Sequence, residues 1–291
     1  MSVLLIAFKI LLAAAVGLAA FATGLQTSRV PRLWPFCSPS LFWRSLLSVL
    51  VLVPLAAILL VEALRPDVVV RAGLVVSIFA VGVGPLDELK RARAASPVLA
   101  YELGLDITLL VVSVVFIPVA VALHGLVFHH HVHLGIARVA AVVLANALAP
   151  MAVGVLVARL APTRADQLGA HAARGSSLAL LGVLPIALLA IGPLLVTVGA
   201  AGWLTSALVA TVAVVIGHAL GGPAPDTRAV LAAHSAIRFP PLALLIAAAA
   251  HGEKRLLPVV LAYIVASSVA VAVNAVGRKA LARRRQRLIR V

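Results

Sequence analysis

Apolar residues in this chain fall in long unbroken runs, not in the period-two alternation of half-buried strands. The runs lie near 3–23, 41–63, 68–86, 96–123, 135–160, 177–197, 203–220, 228–250 and 256–277. Each approaches the ~20 residues that a helix needs to cross ~30 Å of hydrocarbon. The pattern predicts an all-α polytopic membrane protein with about nine transmembrane helices. Continuous runs exclude a barrel, whose strands would alternate. Polar positions cluster in short connections. The turn Gly221–Thr227 precedes the eighth run, with Asp226 or Thr227 expected as its cap. Pro150, Pro185 and Pro193 are expected kinks in the fifth and sixth runs.

Two stretches interrupt this pattern. The sharper is His234-Ser235-Ala236-Ile237-Arg238-Phe239-Pro240-Pro241-Leu242, near the middle of the eighth run. Pro240 and Pro241 remove two backbone donors and disfavour helical geometry at Phe239 and Pro240. Carbonyls a turn upstream lose their helical partners where no water replaces them. Arg238 adds a charge at the same depth, where a charge lines a cavity or finds a partner. Broken backbone with a charge points to a transport site; the alternative is a Pro-kinked helix whose arginine reaches one membrane surface. The second interruption is 82–97, where Gly82-x-Gly84-Pro85 ends a helix and Ser96-Pro97 starts one. It reads either as an inner loop or as the linker of a discontinuous membrane segment, and both leave nine crossings. Glu102 and Asp106 follow, four residues apart on one helical face. They form a cation or proton site, or mark a helix end at the inner surface.

Composition agrees with a membrane protein. Of 291 residues, 63% are hydrophobic and 11% charged, with mean hydropathy +1.17. A soluble domain could not cover so much apolar surface with so few charges. The formal net charge of +15 does not require nucleic acid, because basic residues concentrate on one side of the predicted topology. With the N-terminus outside, inner connections carry Arg29, Arg32, Lys90, Arg91, Arg93, Arg159, Arg164, Arg174 and Arg228, followed by the basic tail 278–291. The outer side holds mainly Arg65, Arg71, Lys254 and Arg255. This bias places the C-terminus in the cytoplasm of a multi-pass cell-membrane protein, and gives the tail an orientation and anionic-lipid role. Glu62, Arg65, Asp67 and Arg71 read as end charges in the outer headgroup layer. Trp34 and Trp43 suit the interface. The single Cys37 excludes an intramolecular disulfide. The first run lacks a preceding basic region and a small-residue cleavage site, and is read as a retained span. His124 and His129-His130-His131-Val132-His133 have the composition of a loose metal-binding loop. No resident metal or cofactor is expected.

The segments Ser96-Pro97-Val98-Leu99-Ala100-Tyr101-Glu102-Leu103-Gly104 and His234–Leu242 give the chain its resemblance to the bile acid:sodium symporter family, over about residues 10–277. The resemblance implies two inverted repeats, each with a broken helix where the two cross. It also implies a core domain holding the crossing against a panel domain, with substrate between them. One transmembrane unit would contain a first repeat at 1–123, lacking the family's first helix, and a second at 124–277. The family's sodium ligands carry over poorly. Ser96 and Ser113 match family hydroxyl positions, but Pro97 replaces an amide. His234, Arg238 and Phe239 replace a carboxylate and two amides. A fixed guanidinium then stands where a cation would bind, as a built-in counterion.

The expected function is secondary transport of a small organic anion by alternating access. Arg238 would attract the anion, with helix N-termini at the crossing. Coupling would be to protons, through His234 or the Glu102/Asp106 pair, or absent altogether, with Na⁺ less favoured than the family resemblance implies. The alternatives are a cation/proton antiporter of related fold and a non-transporting membrane sensor or scaffold. No two-histidine metal motif in a span, nucleophile elbow or phosphate loop supports an enzyme. A reporter fused at the C-terminus is expected to be active on the cytoplasmic side; activity confined to the outside would reject this topology.

Overall fold

The computed structural model describes residues 2–29, 38–82, 97–128, 136–249 and 255–289. Among these residues the secondary structure is entirely helical. Helix α1 is Ser2–Leu25. Helix α2 runs from Pro39–Leu46 through a π turn, Leu47–Leu52, into Val53–Leu64. Helix α3 is Val68–Phe79 and α4 is Pro97–Phe128. Helix α5 repeats the plan of α2: Ile136–Val143, a π turn at Leu144–Leu148, then Ala149–Leu160. Helix α6 is Pro162–Ala190, and a 3-10 turn, Gly192–Val198, leads into α7, Gly199–Leu220. Helices α8 (Pro225–Ile237) and α9 (Pro240–Ala249) are two halves of one broken segment, and α10 is Leu256–Ile289.

Among the described residues, seven helical stretches are long and apolar enough to cross a membrane. They are Ile6–Leu25, Pro39–Leu64, Ala100–Ala120, Ala137–Leu160, Gly192–Leu220, Pro225–Ala249 and Leu256–Ala280. The molecule is therefore built as a polytopic membrane protein. The run at 68–86 forms a shorter apolar helix ending at Phe79. The run at 177–197 begins far earlier than hydropathy suggests, because Pro162 suits the first position of a helix and α6 continues from there. Pro185 lies inside α6, whereas Pro193 opens the 3-10 turn. The basic residues 278–289 continue α10 as helix.

Local chemistry explains the ends and bends. Asp67 caps α3, its Oδ1 accepting from Val68 N at 2.8 Å. Arg71 donates to Pro66 O at 2.9 Å and pairs with Glu62 at 3.3 Å. The expected cap of α8 is different: Ala224 occupies the cap position and Pro225 starts the helix. Thr227 instead donates to the carbonyls of Gly221 and Ala224. In α2, Val53 N bonds Ser48 O, one residue further back than in an α-helix. In that register the carbonyl of Val49 would look to residue 54, which is Pro54 and has no N–H. The same arrangement recurs in α5, where Ala149 N bonds Leu144 O immediately before Pro150.

The helices pack in two groups. Helix α1 lies along α5 and α6, closely enough that a Cβ on Gly24 would clash with the carbonyl oxygen of Met151. In the second group α7 packs on α8, α10 and α2, and α10 on α3. Its core includes Val53, Leu74, Ala213, Ala236 and Tyr263. Helix α9 lies between the groups, in contact with α1, α3 and α10. Large apolar side chains such as Ile10, Leu59, Val115, Leu156 and Val269 face outward. None of α8 or α9 does so among the described residues. The broken segment is thus the enclosed centre of the fold.

The prolines at its break orphan carbonyls, and the fold replaces the missing donors. Pro240 cannot donate to Ala236 O, four residues back. The hydroxyl of Tyr263 on α10 does so at 2.9 Å, and Tyr263 is fully buried. Tyr263→Phe should leave that carbonyl without a donor and cost about 1–3 kcal/mol. Thermal unfolding in detergent should show a lower midpoint; an unchanged midpoint would mean that the carbonyl is otherwise satisfied.

Candidate functional site

Three stretches of irregular backbone meet at this centre. Helix α3 ends at Phe79, and Ala80–Gly82 continue without helical structure. Phe239 N, in the break between α8 and α9, donates to Ala80 O at 2.9 Å. The Phe239 ring lies over Gly82, where a Cβ would come within 2.6 Å of ring Cδ1. Any side chain at 82 would displace the ring, so the backbone contact depends on glycine there. The third stretch is the π turn of α2. Arg238 Nη1 donates to Val49 O at 2.8 Å, the carbonyl left open by Pro54. Ser48 Oγ and Ser235 Oγ are 2.9 Å apart beside it.

Arg238 is unusual in two respects. Its backbone has φ 59° and ψ −141°, a region that suits glycine and costs other residues about 1–3 kcal/mol. Its side chain is 2% exposed, so the sequence alternative of an arginine reaching the membrane surface is not the arrangement adopted. One nitrogen binds Val49, whereas Nε and Nη2 are buried with no hydrogen-bond partner within bonding geometry among the described residues, the Tyr263 hydroxyl standing beside the guanidinium. Such donors are costly to leave unsatisfied. Together with the strained backbone, they mark a place where structure gives way to some other requirement.

The amides of α9 add nothing to this charge. Pro240 and Pro241 have no N–H, and Leu242 N and Ala243 N both donate to Phe239 O at 3.1 Å. Of the two helix N-termini expected at the crossing, that of α9 therefore has no free amide in its first turn.

One turn before Arg238, His234 Nε2 lies 2.8 Å from Asp106 Oδ1 of α4, both side chains essentially without solvent contact. Its Nδ1 lies 2.9 Å from Val230 O. This pair joins positions 128 residues apart. Helix α4 is also tied to α2, where Tyr101 Oη and Ser45 Oγ lie 2.9 Å apart.

No protein-family model matches this chain, and no curated protein sequence matches it.

The sequence candidates are distributed accordingly. Arg238, Phe239, His234 and Asp106 come together around the break. Glu102 sits one turn before Asp106 on α4, half-buried. Ser113 is buried but donates to Leu110 O of its own helix at 2.6 Å. Ser96 lies outside the described residues, as do most of 82–97 and the run His129–His133. Among the described residues no three His, Cys, Asp or Glu side chains gather as metal ligands. Sequence reasoning missed Ser48, the Val49 carbonyl, Ser235 and Tyr263. Pro54 was the available signal, since a proline within an apolar run leaves a carbonyl in search of a donor.

Proposed function

We propose that this chain is a secondary transporter of a small organic anion, working by alternating access, with Arg238 as its anion ligand. The observation that carries this reading is the pair of buried, unpartnered guanidinium donors at a break in the central helix. A carboxylate or sulfonate fits them because its oxygens accept charge-assisted hydrogen bonds in the plane of the guanidinium. The retained strain at Arg238 supports the same conclusion, since glycine would relieve it but carry no charge.

The fold proposed is that of the bile acid:sodium symporter family, with α1, α5 and α6 as panel. The remaining helices form the core. Nine crossings follow if α3 with its irregular end and the apolar second half of α6 each count as one. The contact of the Ala80–Gly82 and Arg238–Phe239 breaks supports an inverted-repeat crossing. Sodium is not the coupling ion in this reading, because Arg238 places a fixed positive charge at the crossing. A second reading has one observation in its favour: the bond to Val49 O makes Arg238 a structural staple in a non-transporting membrane protein.

Substitution separates the two. Carboxylates and sulfonates would be screened for thermal stabilisation of the purified protein, and the best taken into binding and vesicle uptake assays. Arg238→Gln and Arg238→Gly should lose about 2–5 kcal/mol of binding, roughly 30- to 5,000-fold in affinity. Arg238→Lys should recover part of it. Replacing Na⁺ with choline should leave uptake unchanged. If Arg238→Gln binds as tightly as wild type, or uptake is steeply sodium-dependent, the reading fails. If the variants lose only stability and no anion binds wild type, the staple reading stands.

A further inference from the structure

We propose that the groove between α7 and α10 is a binding site for one anionic phospholipid of the surrounding bilayer. Its acyl chain lies along the groove, and its phosphodiester meets His218 and Arg278 at one end. The inference is independent of Arg238 and concerns the lipid-facing side of these two helices.

The groove follows from the way the helices pack. Helices α7 and α10 are in contact, but several side chains between them are small, with Ala207 on α7 and Ala266 and Ala270 on α10. A space of about 470 Å³ remains, within the roughly 300–1,000 Å³ of small-molecule sites. Val215, Val265 and Val269 along it face outward, so it opens toward hydrocarbon. Its lining runs from Trp203 to Val215 on α7, roughly 18 Å at 1.5 Å per residue. One leaflet supplies about half of the ~30 Å hydrocarbon core. The groove is therefore about as long as the acyl chain that one leaflet holds.

Any open apolar groove in a bilayer holds some acyl chain, so selection must come from a polar end. Asn274 of α10 lines the groove, and an amide facing hydrocarbon needs a partner. His218 follows Val214 and Val215 of the lining by one turn, on the same face of α7. Arg278 follows Asn274 by one turn on α10. Its Nη1 donates at 3.3 Å to the carbonyl of Pro225, just past the end of α7, so His218 and Arg278 share one end of the groove. Each has a buried nitrogen without a hydrogen-bond partner among the described residues, Nδ1 of His218 and Nε of Arg278. Gly277 leaves the approach open, since a Cβ there would meet nothing within 4 Å.

A phosphodiester suits this end. Its free oxygens only accept, and they can take hydrogens from Arg278 Nε, from the Asn274 amide and, in the Nδ1–H tautomer, from His218. The charge is also matched, because α10 continues through Lys279, Arg283, Arg284 and Arg285. Asp226 at the start of α8 opposes this charge, but it is exposed, where water screens it. The basic segment attracts a phospholipid with net negative charge and repels the ammonium of a zwitterionic one.

The test uses the full chain with Trp34→Phe and Trp43→Phe, which leaves Trp203, inside the groove, as the remaining tryptophan. The protein is placed in phosphatidylcholine nanodiscs with rising fractions of phosphatidylglycerol bearing brominated acyl chains, which quench tryptophan on contact. Quenching should rise steeply and saturate at a low fraction, whereas brominated phosphatidylcholine should quench only in proportion to its fraction. Unbrominated phosphatidylglycerol should reverse the effect, and inorganic phosphate should not. Arg278→Gln combined with His218→Gln should raise the fraction needed for half-quenching at least about tenfold. Arg278→Lys alone should raise it less. Ala270→Leu, which fills part of the groove and leaves both basic residues in place, should abolish the saturating phase. Proportional quenching by both lipids overturns the site, and unchanged saturation in the double variant overturns its polar end. Reversal by inorganic phosphate would assign that end to a free anion and overturn the lipid. Weak quenching by both lipids, with two copies in each nanodisc, would overturn it in favour of a second copy of the chain.

Discussion

Hydrocarbon offers no hydrogen bonds, and the centre of this molecule is arranged around that constraint. Every carbonyl deprived of its helical donor inside the membrane must find another. Pro240 deprives Ala236, and Tyr263 supplies the hydroxyl. Pro54, after a π turn, leaves the Val49 carbonyl open, and Arg238 reaches it from the opposite break. The carbonyl of Ala80, where α3 has ended, takes the N–H of Phe239. These repairs each bridge a different pair of elements. Together they hold three irregular backbone stretches against one another.

The repair is incomplete at Arg238. Arg238 satisfies one carbonyl with one nitrogen and keeps two donors without an acceptor in bonding geometry among the described residues. Its backbone also stays in a conformation that glycine would adopt without strain. A neutral donor is enough to satisfy a carbonyl, as Tyr263 shows. The charged fork and the His234–Asp106 pair instead place ionisable groups in the low-dielectric interior beside the break.

Much of this was legible in the sequence, but not the partnerships. The double proline and arginine in an apolar run located the break to the residue, because both lost donors and intramembrane charge are local facts. Hydropathy located most spans, since it measures membrane depth. It did not reveal helix ends, so Pro162 at the start of α6 and the continuation of α10 to Ile289 escaped it. The π turns were invisible because Leu47–Leu52 and Leu144–Leu148 are as apolar as their flanks. Asp106 was read with Glu102, its neighbour on one helical face. Its partner is His234, 128 residues away, which no local spacing could indicate.

The docking of the α8–α9 break on the π turn of α2 is the central claim, since it places Arg238 against Val49 and leaves the other donors free. The Ser48 and Ser235 hydroxyls, 2.9 Å apart, report it directly. In protein lacking Cys37, Ser48→Cys with Ser235→Cys should form a disulfide under mild oxidation, because the side chains fall within bonding reach. A control pairing Ser48→Cys with Ser268→Cys, on the exposed face of α10, should not. Failure of the 48–235 pair to cross-link in folded, monodisperse protein would contradict the arrangement.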